Sequence, residues 1–132
     1  MAAGRFERAA RALASAAEIG DPIAQTALGN LHYLGLGLER DPRRAAELYY
    51  AAARAGHAPA QINLGNLYAQ GLGVPTDALR AFGWYRQADI HGSPAAEYYL
   101  RQISLEYTLS PLQQSTAAAK WERLDALVAE GL

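Results

Sequence analysis

Three imidazoles, His32, His57 and His91, are the chain's only side chains that ordinarily titrate near neutrality. Metal or general acid–base chemistry needs such groups to converge, as in His-x-x-x-His or a histidine set with carboxylates at ligand spacing. Nothing of that kind joins them: one lies inside an apolar-periodic segment, one in a turn and one at a segment end. They read as core or surface histidines. Gly35-Leu36-Gly37 lacks the third glycine, the following Lys-Ser/Thr and the preceding strand of a phosphate loop, so it reads as a turn. Glu7-Arg8, Arg43-Arg44 and Glu122-Arg123 read as solvated helix faces. Without cysteine there is no disulfide, thiolate zinc site or sulfur nucleophile. The reading is therefore of a non-enzymatic chain with no metal and no cofactor. What does recur is amide chemistry: Asn30, Asn66 and Gln102 stand 36 residues apart, and each offers both a donor and an acceptor.

That spacing belongs to the whole chain. Gly20-Asp21-Pro22-Ile23-Ala24-Gln25-Thr26-Ala27-Leu28-Gly29-Asn30-Leu31 aligns with Gly56-His57-Ala58-Pro59-Ala60-Gln61-Ile62-Asn63-Leu64-Gly65-Asn66-Leu67, and a third copy starts at Gly92. A period in this range marks a solenoid, an architecture that presents surfaces to partners more often than pockets for chemistry. Each repeat carries two helical stretches. Ala24, Leu28 and Leu31, repeated as Ala60, Leu64 and Leu67 and as Ala96, Leu100 and Ile103, form the buried stripe of the first. The glycine turns at Gly35 and Gly71 end it, with Leu38 and Val74 plugging the turn into the core. Asp41-Pro42 and Asp77 cap the second, whose stripe is Ala45, Tyr49 and Ala52, then Ala81, Tyr85 and Ala88. The same stripe runs back to Ala9, Leu13 and Ala16, so residues 5–19 read as a second helix without its first.

Gly29 and Gly65 cost a helix about 1 kcal/mol relative to alanine, so their recurrence predicts the close approach of a neighbouring helix. Arg101 at the third position predicts no such neighbour. Ser110-Pro111-Leu112-Gln113 reads as a capping box that starts a terminal helix to about residue 130, with Trp121, Leu124 and Val128 on one face. The expected fold class is all-α: a right-handed α-solenoid of antiparallel helix pairs, with two full repeats at 20–55 and 56–91. A half repeat at 5–19 and a C-terminal capping repeat at 92–132 flank them, in a single domain over 1–132.

Net charge is −1, from 12 basic and 13 acidic residues that are interspersed, which leaves no electrostatic footprint for nucleic acid or an anionic membrane. The first twenty residues are interrupted by Arg5, Glu7, Arg8, Arg11 and Glu18 and form neither a signal-peptide core nor a membrane span. The pattern opens in mid-repeat, so the compartment stays open, including a periplasmic or secreted one if a precursor segment precedes.

Ala60-Gln61-Ile62-Asn63-Leu64-Gly65-Asn66-Leu67-Tyr68, Gly71-Leu72-Gly73-Val74 and Trp84-Tyr85-Arg86-Gln87-Ala88 resemble the Sel-one-like repeat, a relative of the tetratricopeptide repeat with a longer turn. The resemblance covers about residues 5–130. It implies right-handed stacked helix pairs and, for the family, scaffold or adaptor roles; it implies no reaction. His32 replaces the motif aromatic at Tyr68, Leu48 replaces Trp84, and the cysteine pairs of one bacterial branch are absent.

In the related tetratricopeptide arrays the first helices line the concave wall. At 100° per residue from Leu28, Thr26, Asn30 and Tyr33 fall opposite the buried stripe, as do Ile62, Asn66 and Ala69, then Tyr98, Gln102 and Leu105. A partner-binding wall of Thr26, Asn30, Tyr33, Ile62, Asn66, Tyr98 and Gln102 is expected, with Ile23 beside it. Its amide column is suited to the backbone of an extended peptide or a partner helix, or bonds only to itself and water. Its apolar members are anchors or are buried between neighbouring first helices. The alternative function is self-association, a homodimer formed through the exposed face of the half repeat.

Overall fold

A computed structural model describes residues 2–107 and 111–113. From residue 2 to residue 107 the described residues form α1 (Ala2–Glu18), α2 (Pro22–Leu34), α3 (Pro42–Arg54), α4 (Ala58–Gln70), α5 (Ala78–Ile90) and α6 (Ala96–Glu106) in succession. Each packs mainly on its neighbours in sequence, so the chain is an all-helical solenoid with no strand among the described residues. None of these helices is long and apolar enough to cross a membrane. Residues 111–113, where the expected terminal helix begins, are helical, and the rest of that helix, with Trp121, lies outside the described residues.

The caps that bound these helices are those the residue types predict. Asp41 and Asp77 accept from the backbone N–H of Arg44 and Arg80, each at 3.0 Å, and Asp21 does the same for Ile23. Gly35 and Gly71 take the left-handed conformation and donate to the Leu31 and Leu67 carbonyls. Beyond them, Gly37 and Gly73 also have positive φ, and a β-carbon there would collide with the backbone of Phe6 and of Pro42 respectively. Each loop glycine thus rests on the N-terminal part of the preceding second helix. Phe6 and Pro42 are 36 residues apart, which places α1 in the register of a second helix. It starts at Ala2, three residues ahead of the expected boundary, in an alanine-rich stretch of high helix propensity.

The core has two parts. A larger cluster runs from α3 to α6 through Tyr49, Leu64, Trp84 and Ile103; a smaller one joins α1 and α2 through Ala10, Ala17, Leu28 and Leu31 and takes Leu48 from α3. Trp84 is buried and meets Tyr50 edge-on at 6.1 Å between centroids. Val74 is buried and Leu38 partly so, plugging the loops as expected.

Candidate partner-binding groove

The mid-helix glycines admit tyrosine rings. A β-carbon at Gly29 would lie 2.7 Å from Cε1 of Tyr49, and one at Gly65 would lie 2.5 Å from Cε1 of Tyr85. Each ring crosses the first helix so closely that its hydroxyl reaches the next residue. Tyr49 donates to Oδ1 of Asn30 at 2.5 Å, and Tyr85 donates to Oδ1 of Asn66 at 2.6 Å. Burial pushes both hydroxyls well above the ordinary tyrosine pKa, so they stay protonated and act as donors. The amide oxygens are thereby occupied. Asn30 Oδ1 also receives a long bond from Asn63 Nδ2 at 3.4 Å. The Nδ2 groups of Asn30 and Asn66 have no partner among the described residues.

Those side chains line two adjoining hollows. The first, about 290 Å³, is bounded by Asn30, Tyr33, Tyr49, Asn63, Asn66 and Gln70 with Leu34 and Leu67. The second, about 260 Å³, shares Asn66 and Gln70 with it and adds Tyr85, Tyr98, Tyr99, Gln102 and Glu106. One groove therefore crosses α2, α4 and α6, and Glu106 is the one charged residue in its two linings. In the second hollow an aromatic run leads outward: Tyr85 stacks on Tyr99 at 5.2 Å, and Tyr99 meets Tyr98 edge-on at 5.3 Å. Tyr98 is 61% exposed, and Tyr107 ties the end of α6 back to α4 by donating to the Ala69 carbonyl at 3.1 Å.

Asn30, Tyr33, Asn66, Tyr98 and Gln102 are thus brought together on one surface. Thr26 and Ile62 are not: both are 7% exposed, and the Thr26 hydroxyl is spent on the Pro22 carbonyl at 2.8 Å. This corrects the expectation that they stand on the wall. A first helix inside a stack is flanked on two sides, α2 by α1 and α3, α4 by α3 and α5, so its buried arc is wider than a single stripe. Tyr98, at the same repeat position, is on α6, which packs chiefly on α5. Ile23 is 68% exposed at the start of α2 but lines neither hollow.

Residue types alone missed Tyr49 and Tyr85 as parts of the groove, because their stripe with alanines reads as core. The available signal was the shared 19-residue separation from Asn30 and Asn66. Also missed were Gln25 and Gln61, whose Nε2 atoms donate to the Ala17 and Ala53 carbonyls at 3.3 and 3.0 Å and latch each first helix to the end of the preceding second helix. Gln61 is fully buried. The histidines stay apart. His91 Nδ1 lies 2.9 Å from the Gln87 carbonyl and 3.3 Å from Gln61 Oε1, His57 precedes α4 without a side-chain cap, and His32 lines a separate cavity beside α1. No group of three or more potential metal ligands occurs among the described residues.

Comparison with known proteins agrees with this architecture. The model of the Sel1 repeat matches residues 22–57 and 58–88. A solved structure of a protective antigen present in uropathogenic Escherichia coli strains, displaying an SLR fold, is 26% identical with a TM-score of 0.81, over 94% of this chain and 27% of that one. A Sel1 repeat protein from Oxalobacter formigenes is 38% identical with a TM-score of 0.67, over 69% of this chain and 26% of that one. The chain therefore spans about a quarter of the length of either structure. No curated protein matches. Sel1 repeat proteins are generally protein-interaction modules. With two repeats covering half of its length, the chain belongs to the Sel1 repeat family.

Proposed function

We propose that this chain is a non-enzymatic interaction module that holds an extended peptide segment of a partner protein in the groove across α2, α4 and α6. One observation carries the reading: tyrosine hydroxyls occupy the Asn30 and Asn66 oxygens, so the column offers N–H donors to a ligand. Peptide carbonyls are the complementary acceptors, and they recur along any extended chain whatever its sequence. At about 0.5–1.5 kcal/mol net per bond, a few rungs fall short of the ~8 kcal/mol of micromolar binding. Contact with Tyr33 and Tyr98 supplies the remainder. With Glu106 its one charged lining residue, the groove favours a neutral or basic segment over an acidic one.

Asn66→Ala is a poor test because it would also strip the Tyr85 hydroxyl of its acceptor. Tyr98→Ala with Gln102→Ala is cleaner, since both residues are exposed. Peptides selected from a displayed random library against the wild type are expected to lose tenfold or more in affinity for the double variant, by calorimetry. Its melting temperature should stay within about 2 °C, as for surface substitutions. Equal affinity for the two proteins overturns the groove.

A second reading rests on α1. Ala9, Leu13 and Ala16 are half-buried, whereas their counterparts Ala45, Tyr49 and Ala52, and Ala81, Tyr85 and Ala88, are at most 3% exposed. Pairing of two copies through this face would cover it. Sedimentation equilibrium should then show a dimer that Leu13→Glu dissociates; a monomer at high micromolar concentration removes this reading.

A further inference from the structure

At one interior place the differences between the two repeats leave a hole. In the second repeat Tyr68 is 2% exposed, Arg80 donates to its hydroxyl at 3.3 Å, and the Arg80 guanidinium lies 5.6 Å from its ring centre. Tyr50 stands beside it, in edge contact with Trp84. One period earlier Tyr68 becomes His32, Tyr50 becomes Ala14, and Arg80 stays arginine as Arg44. With Leu48 standing one period before Trp84, three aromatic side chains are thus exchanged for smaller ones while the cation is kept. A cavity of about 380 Å³ opens there, lined by Leu28, His32, Leu38 and Arg44 with Ala14 and Arg11 of α1. That volume is near the lower end of small-ligand sites, about 300–1,000 Å³.

The cavity is distinct from the groove. On α2, His32 is about 160° around the helix from Asn30 at 100° per residue. Its walls are mainly apolar: Ala10 and Leu28 are buried, and Ala14 and Leu38 are partly so. The polar groups are concentrated in Arg11, Arg44, Glu7 and His32, and Arg44 turns outward to Glu47 at 3.1 Å. His32 Nδ1 is buried without a hydrogen-bond partner. A few polar groups over an apolar floor is the composition of a site that fixes one end of an aromatic ligand.

We propose that this cavity binds the tyrosyl side chain of a partner peptide, whose ring replaces the missing Tyr68 equivalent and whose phenolic oxygen is met by Arg44. The second repeat supplies the template for both contacts: ring under guanidinium, and guanidinium N–H to hydroxyl. This site does not depend on the groove, and either can fail without the other.

The test titrates N-acetyl-tyrosine amide into isotope-labelled protein and follows backbone amide shifts. Saturable shifts are expected at His32, Gly37, Leu38 and Arg44, with N-acetyl-phenylalanine amide binding at least threefold more weakly. His32→Tyr should fill the cavity, abolish these shifts and raise the melting temperature. Arg44→Gln should leave the cavity open yet reduce the tyrosine preference. Absence of saturable shifts, equal binding of the two amides, undiminished shifts in His32→Tyr, or shifts confined to Asn30 and Asn66 would each overturn the proposal.

Discussion

Gly65, Asn66 and Tyr85 act as one unit: the missing β-carbon admits the ring, and the ring delivers its hydroxyl to the amide. Asn66→Ala leaves that hydroxyl without its acceptor and should cost about 1–3 kcal/mol, whereas adding Tyr85→Phe should recover much of the loss. Urea unfolding of both single variants and the double checks it, and additive costs would show that the pair is not coupled. The elements of this unit repeat in plain view, but their meaning was not legible, because the path of a ring across a helix depends on how closely two helices approach. Thr26 and Ile62 were misplaced for a related reason: a helical wheel gives direction and not the number of neighbours. Titration adds a prediction. Burial, then the Arg44 charge, lowers the His32 pKa below its ordinary 6.5, against a smaller opposing effect of Asp41. The unfolded chain therefore takes up this proton first as pH falls, so this contribution is present above about pH 6.5 and is lost below it. The melting temperature should drop more between pH 7 and pH 5 in the wild type than in His32→Tyr; equal drops would remove His32 as the cause.

At the scale of elements, what was legible was punctuation. Asp41, Asp77, Gly35 and Gly71 bound their helices where capping chemistry places them, because a cap is satisfied within a few residues of sequence. The stacking role of the next glycine was hidden, since it depends on a helix some thirty residues earlier. Gly73 has φ +73°, and a β-carbon there would strike the Pro42 backbone; Gly20 has φ +89° with nothing within 4 Å. Gly20→Ala should therefore cost only the left-handed penalty, roughly 1–2 kcal/mol. Gly73→Ala adds a clash that must push α3 and its loop apart, which overpacking data put at a further ~1–3 kcal/mol. Chemical denaturation of the pair measures the difference, and equal losses would mean that the loop yields without disturbing α3.

At the scale of the molecule, stability in a solenoid is close to a sum of unit and nearest-neighbour terms, so the units need not open together. The α3–α6 cluster contains Tyr49, Phe82, Trp84 and Tyr85, whereas the α1–α2 cluster depends on small alanines with Phe6 and Leu13 half-buried. Less apolar area leaves water at α1, at about 25 cal/mol per Å². Native-state hydrogen exchange should accordingly show α1 amides opening at least ~1.4 kcal/mol, or tenfold, below those of α4 and α5. Leu48 is the large side chain that α3 contributes to the α1–α2 cluster. Leu48→Ala, with an expected cost of about 2–5 kcal/mol, should lower protection first in α1 and α2 and leave α5 nearly unchanged. Equal loss along every helix would show that the array unfolds as one cooperative body, and the α1 face would then be held by the whole stack rather than by its nearest neighbours.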